Sequence, residues 1–170
     1  LSLINRYTDV FVEMPPAGTS DYSSHNTGLV NALLDFDWPS AGTPLRRGLE
    51  RVGNYYDDTL SGHSSPILPE ANGGACQKNF TVLFTDGYWN GSDPSSSIGD
   101  ADGDSHSRTL ADVAKYYYDK DLSDLDDDVV ADPFDTATHQ HMVTFTVAFG
   151  VRGNLVDADG NGSVSYTHLR

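Results

Sequence analysis

Two apolar runs constrain this chain more than any other feature. The first lies within "NFTVLFTDGYWNG" (79–91), where Phe80 to Phe84 carry no breaker. The second, "MVTFTVAFG" (142–150), ends in glycine. Both have the length and the β-branched and aromatic content of strands, and the first reads as buried. Between them Thr109-Leu110-Ala111-Asp112 has capping-box character. Leu110, Val113, Ala114 and Tyr117 then make one apolar stripe, so the spacing predicts a helix over 109–118. Strand, helix, strand is a β-α-β unit, which implies neighbouring parallel strands with helices packed on the faces of the sheet. In open parallel sheets, ligands bind beyond the carboxyl ends of the strands. The first strand ends there in Thr85-Asp86-Gly87 and offers Tyr88 and Trp89.

The remaining chain alternates in the same way. "DVFVE" (9–13) reads as a short strand cut off by Pro15-Pro16, and Leu29, Leu33 and Leu34 suggest a short helix after Thr27. Thr43-Pro44 reads as a helix N-cap with proline at the first helical position. Leu45, Leu49, Val52 and Tyr56 follow at helical spacing. Residues 57–75 and 87–108 are loops, and an acidic loop runs from Asp119 to about Asp135. Tyr116-Tyr117-Tyr118 reads as half core and half surface.

Charge excludes some functions. With 25 acidic residues against 10 basic ones the net charge is −15, the opposite of a nucleic-acid footprint. It suits secretion, high solubility or cation binding. No apolar run approaches the roughly 18 to 20 residues of a membrane span. At 170 residues and 38% hydrophobic content there is enough chain for one domain with a core. The single cysteine, Cys76, reads either as a buried thiol or as half of a bridge to a partner outside this stretch. Leu1 starts without Met or a basic leader, so a piece of something longer is expected.

Four stretches, taken in order, carry a resemblance: "AGTPLRRGLERVGNYY" (41–56), "CQKNFTVLFTDGYWNG" (76–91), "DADGDSHSRTLADVAKYYYDKDL" (100–122) and "HQHMVTFTVAFGV" (139–151). They resemble the von Willebrand factor A-like region of PilY-type type IV pilus biogenesis factors, the tip-associated adhesins. The resemblance implies an α/β, Rossmann-like A-type domain over 1–156. Its mainly parallel central sheet would be flanked by helices and truncated at the N-terminus. It also implies export through the periplasm to the pilus and cell surface, and non-enzymatic work in assembly, retraction control and adhesion. The implied partners are pilus subunits or minor pilins and a host surface protein.

A-type domains often hold a divalent cation at the carboxyl edge of the sheet. Its ligands come from an Asp-x-Ser-x-Ser turn, a threonine in a Gly-Thr loop and an aspartate in a Thr-Asp-Gly loop. By position, Thr43 matches the threonine and Asp86 the aspartate. Hydroxyl and carboxylate oxygens suit Ca2+ or Mg2+. No Asp-x-Ser-x-Ser turn precedes Thr43; "TSDYSS" (19–24) is only a serine-rich loop. Asp86 also reads as a turn aspartate, and Thr43 as a plain helix cap.

Two acidic loops read as calcium candidates from their own spacing. In "DADGNGSVS" (157–165), Asp157, Asp159, Asn161 and Ser163 fall on ligand positions of an EF-hand-type loop, with Gly162 at the sharp turn. The closing position is His168 instead of a bidentate acid, so the 157–170 tail reads as a truncated loop. Its last residues, "SYTHLR", resemble translated sequencing-adapter read-through. "DADGD" (100–104) repeats the spacing through Asp100, Asp102 and Asp104 but has Ser105 where the glycine belongs. It reads either as a loose cation site or as a solvated acidic loop.

His139 and His141 share one face of a strand start, as paired metal ligands would, yet no third ligand is near in sequence and structural histidines are expected. No nucleophile elbow or ordered triad appears. A calcium-stabilised secreted hydrolase and a pure assembly scaffold stand as the rival readings.

Overall fold

The computed structural model describes residues 1–4, 11–37, 42–86 and 88–149. Its centre is a pair of parallel strands, β1 (Asn79–Thr85) and β2 (Met142–Ala148), running in register from Asn79 opposite Met142 to Thr85 opposite Ala148. This is the pairing the β-α-β spacing predicts. Among the described residues three α-helices accompany it: α1 (Ser23–Leu34), α2 (Leu45–Tyr56) and α3 (Leu110–Asp119).

Helices α2 and α3 pack on one face of the sheet. Leu45 and Leu49 from α2, Leu83 from β1, Leu110, Val113 and Tyr117 from α3, and Met142 from β2 form the core, joined by Ile98 and Leu122 from the loops. Close approach of the helices depends on Gly53, because a Cβ there would overlap the Tyr117 ring. The Tyr117 hydroxyl then donates to Asn54 Oδ1 at 2.7 Å, which holds the two helices in register.

The capping box expected at α3 is present in full. Thr109 accepts from the Asp112 N–H through its side chain, and the Asp112 carboxylate accepts from the Thr109 N–H. At α2 the expectation is corrected. The helix starts at Leu45 with Pro44 as its cap, and no side chain closes it. Thr43 is held outside by two hydrogen bonds to Asn90, donating its N–H to the side chain and accepting the Asn90 N–H at its carbonyl.

Other expectations change as well. β1 is not buried on both sides: its residues alternate strictly, with Phe80, Val82 and Phe84 exposed. Phe145 and Phe149 continue that apolar surface, and Phe84 stacks on Phe149 with ring centroids 6.3 Å apart. Among the described residues the helices therefore cover one face of the sheet, because α2 and α3 both cross on the same side. Of the 9–13 segment, Phe11 makes only an isolated antiparallel bridge to Ser2, and Asp9 and Val10 lie outside the described residues. α1 begins at Ser23, earlier than expected, and buries none of its residues. The 57–75 loop contains one single 3₁₀ turn, Glu70–Asn72, and a second, Gly74–Cys76, runs past its end. Cys76 is exposed, which removes the buried-thiol alternative. In the tyrosine run only Tyr117 is buried, as the half-core reading expects. The expected boundary at 156 and the whole 157–170 loop lie outside the described residues.

Candidate functional site

The carboxyl edge of the sheet is built from the end of β1 and the loop before α2. Asp86 stands exposed just past Thr85. Four residues on, Asn90 Oδ1 accepts the Thr43 N–H at 2.8 Å and the Asn90 N–H reaches the Thr43 carbonyl at 2.9 Å. Gly42 is required for this approach, since a Cβ there would lie 2.5 Å from Asn90 Oδ1. The loops carrying Thr43 and Asp86 therefore meet on one edge. One carboxylate and one hydroxyl are still few against the roughly six to eight oxygens that calcium takes.

Trp89 does not project freely. The Arg46 guanidinium lies over its ring, 3.2 Å from the centroid, a cation–π contact. Arg46 is itself buried, donating to the Arg108 carbonyl at 2.7 Å and pairing with Asp93 at 3.2 Å. Asp93 pairs with Arg108 as well, so one carboxylate links two guanidiniums. Burial draws the Arg46 pKa below its ordinary value; Asp93 opposes this and Arg108 adds to it. Tyr88 remains 63% exposed beside this cluster. Sequence reasoning missed Arg46, Arg108 and Asp93. Arg46 lies beside the apolar stripe of α2 with no local signal of burial, and the fold of the 88–108 loop buries it.

The acidic loop supplies the second cluster. Oxygens of Asp100, Asp102 and Asp112 lie within 4.8 Å of one another. Asp112, fully buried, was legible as a cap but not as the anchor of this loop. Its Oδ1 accepts the N–H groups of Ala101 at 2.7 Å and Asp102 at 3.3 Å. Its Oδ2 accepts the N–H of Thr109 at 2.7 Å and the Thr109 hydroxyl at 2.8 Å. A carboxylate offers about four lone-pair sites, so four donors leave Asp112 saturated. Asp100 accepts from Asp104 and Ser105, and Asp102 from Asp104. The Asp104 carboxylate sits outside this trio and caps the His106 N–H at 2.8 Å.

The paired histidines take structural positions. His139 Nε2 faces the Tyr118 carbonyl at 2.9 Å. His141, buried, sits between the His139 carbonyl at 2.7 Å and the Asp135 carboxylate at 3.0 Å. The neighbouring Gln140 donates to the Ala75 and Asp126 carbonyls, so these residues tie the acidic loop to the start of β2.

In class, the molecule is an α/β structure with parallel strands whose loops gather at their carboxyl ends. The chain belongs to the PilY-type type IV pilus biogenesis factors. It is 31% identical over 165 residues to "Type IV pilus biogenesis factor PilY1" of Pseudomonas aeruginosa strain PAK, covering 72% of this chain and 14% of the relative. The protein of the same name from strain PAO1 is 31% identical over 162 residues, covering 73% and 14%. That from strain UCBPP-PA14 is 27% identical over 180 residues, covering 81% and 15%. The chain thus spans about one seventh of the length of these curated relatives. No family model and no solved structure matches it. Among the described residues, no helix is long and apolar enough to cross a membrane.

Proposed function

We propose that this chain is a surface-exposed, non-enzymatic adhesion or assembly domain of a pilus-associated protein, built on the von Willebrand factor A plan. The carrying observation is the similarity to proteins named pilus biogenesis factors over nearly three quarters of the chain. The A-type plan is supported by the in-register parallel pair and by an edge at which the Thr43 and Asp86 loops meet. The apolar face of Phe80, Phe84 and Phe145 supports it too, because parallel sheets are ordinarily covered on both faces. Its partners are pilus subunits or minor pilins, and a host surface protein.

A divalent cation, Ca2+ or Mg2+, belongs to this proposal. Asp100 and Asp102 are the pair best placed to hold one, with Asp104 beside them and Asp112 fixing the loop. Thr43 with Asp86 is the second position. The 157–163 segment (Asp157, Asp159, Asn161, Ser163) is the third, on its spacing alone.

The test replaces this segment in its native gene with a flexible linker of similar reach. Loss of surface pili is expected for an assembly role, and normal piliation with lost attachment for an adhesive one. Normal piliation with normal attachment would overturn the proposal. Calorimetric titration with Ca2+ and with Mg2+ tests the cation. Heat that disappears in Asp100→Asn/Asp102→Asn supports it, and no heat with either ion removes it.

A further inference from the structure

We propose that the groove between α2 and the 88–93 loop binds a carboxylate group on an acidic segment of a partner protein, through arginine and without a metal. The chain carries ten basic residues against a net charge of −15, yet three of the ten lie in one turn and a half of α2, at Arg46, Arg47 and Arg51. Arg108 joins them through Asp93. This is a local reversal of sign on an acidic molecule.

The groove encloses about 460 Å³, within the range of ligand sites. Arg47, Arg51 and Asn54 line one wall from a single stripe of α2; Asn90 and Ser92 line the other from the loop. Glu50 lies on the same stripe, but its carboxylate is engaged by the Ser95 N–H at 2.9 Å. The first turn of α2 has no acidic residue to offset the positive end of the helix. Arg47 is exposed and makes no ion pair or hydrogen bond among the described residues. The Arg51 guanidinium lies 5.3 Å from the centroid of the Phe11 ring. The Arg47 guanidinium fork matches the planar geometry of a carboxylate, and Arg51 one turn on adds positive charge.

A peptide fits the surroundings better than a small free anion. The Asn54 and Asn90 amides can pair with a backbone, and Ile4 and Leu60 supply apolar wall. Tyr88 and Trp89 adjoin the groove through the same loop, and exposed aromatics beside arginine are the residue types that anchor protein partners. A second copy of this chain is disfavoured as occupant, since two molecules of the same large negative charge repel before contact. The inference stands apart from the cation sites, and the test separates the two.

The experiment titrates the chain with acetyl-tetra-aspartate amide, with its tetra-asparagine counterpart and with inorganic phosphate, in EDTA, by calorimetry and amide chemical-shift mapping. Saturable binding of the aspartate peptide is expected, with shifts centred on 45–54 and 88–92. Arg47→Ala should weaken it about tenfold or more, as loss of a charged hydrogen bond implies. Arg47→Glu should abolish it, Arg47→Lys should retain part of it, and about 0.5 M salt should weaken it. All three variants should melt as the parent does, because Arg47 is exposed. Any one of four results would overturn the inference: no saturable binding in EDTA, equal affinity for the asparagine peptide or phosphate, shifts centred elsewhere, or unchanged binding in Arg47→Glu.

Discussion

Asp112→Asn separates an anchoring carboxylate from a cation ligand. The substitution keeps the shape of the side chain and exchanges one acceptor oxygen for a donor amide. Asp112 Oδ1 holds the Ala101 and Asp102 N–H groups and Oδ2 holds Thr109, so whichever side receives the amide, at least one backbone N–H loses its acceptor. A hydrogen bond to a charged group is worth about 1.5–3 kcal/mol. A carboxylate in the first turn of a helix adds about 0.3–1 kcal/mol. The expected cost is therefore about 2–4 kcal/mol, or roughly 5–15 °C in melting temperature for a chain of this size. Urea and thermal unfolding, followed by circular dichroism with Ca2+ and with EDTA, would measure it. Because all four acceptor positions of Asp112 are occupied by protein donors, a loss of this size should already be present in EDTA. A loss under about 0.5 kcal/mol would refute the anchoring argument. A loss seen only with Ca2+ would make Asp112 a ligand.

Gly53→Ala should gain about 1 kcal/mol in helix propensity but collide with the Tyr117 ring, and overpacking costs about 1–3 kcal/mol. Denaturant unfolding should show net destabilisation; a stabilised variant would mean that the α2–α3 contact is loose. Burial raises the pKa of Tyr55, Tyr56, Tyr117 and Tyr118 above the ordinary phenol value, with Asp135 adding to the effect at Tyr118. Their contribution to stability is complete below about pH 10 and lost as pH rises through the folded values. Unfolding monitored between about pH 9 and 12 should be cooperative, with exposed tyrosines such as Tyr88 ionising first and the phenolate absorbance of the four buried or half-buried ones appearing only at unfolding; full phenolate absorbance well before unfolding would contradict it. Phe145→Lys, on the open face of the sheet, should cost about 1 kcal/mol or less and weaken binding of a hydrophobic dye. If the parent chain binds no dye, that face is already covered.

The parts legible in the sequence are those fixed by local chemistry. The pair of strands and the helix between them follow from residue type and period, and a parallel neighbour is nearly the only way to close such a unit. Thr109 and Asp112 form their capping box because its two bonds span three residues and need nothing distant. The apolar stripes of α2 and α3 reappear as the core for the same reason. The site was less legible, because its bonds join residues far apart in the chain. Thr43 reads as a cap by its neighbours but is claimed by Asn90, 47 residues away. Arg46 has no local signal of burial but is covered by Trp89 and bonded to Arg108, 62 residues on. Phe80 and Phe84 read as core by hydrophobicity, yet which face of a strand the helices cover is decided by where α2 and α3 cross. Local preference and period act over a few residues, so sequence alone determined the elements and their capping. Only the long-range packing decided which charges are buried, which aromatics stay in water, and where arginine gathers on an acidic chain.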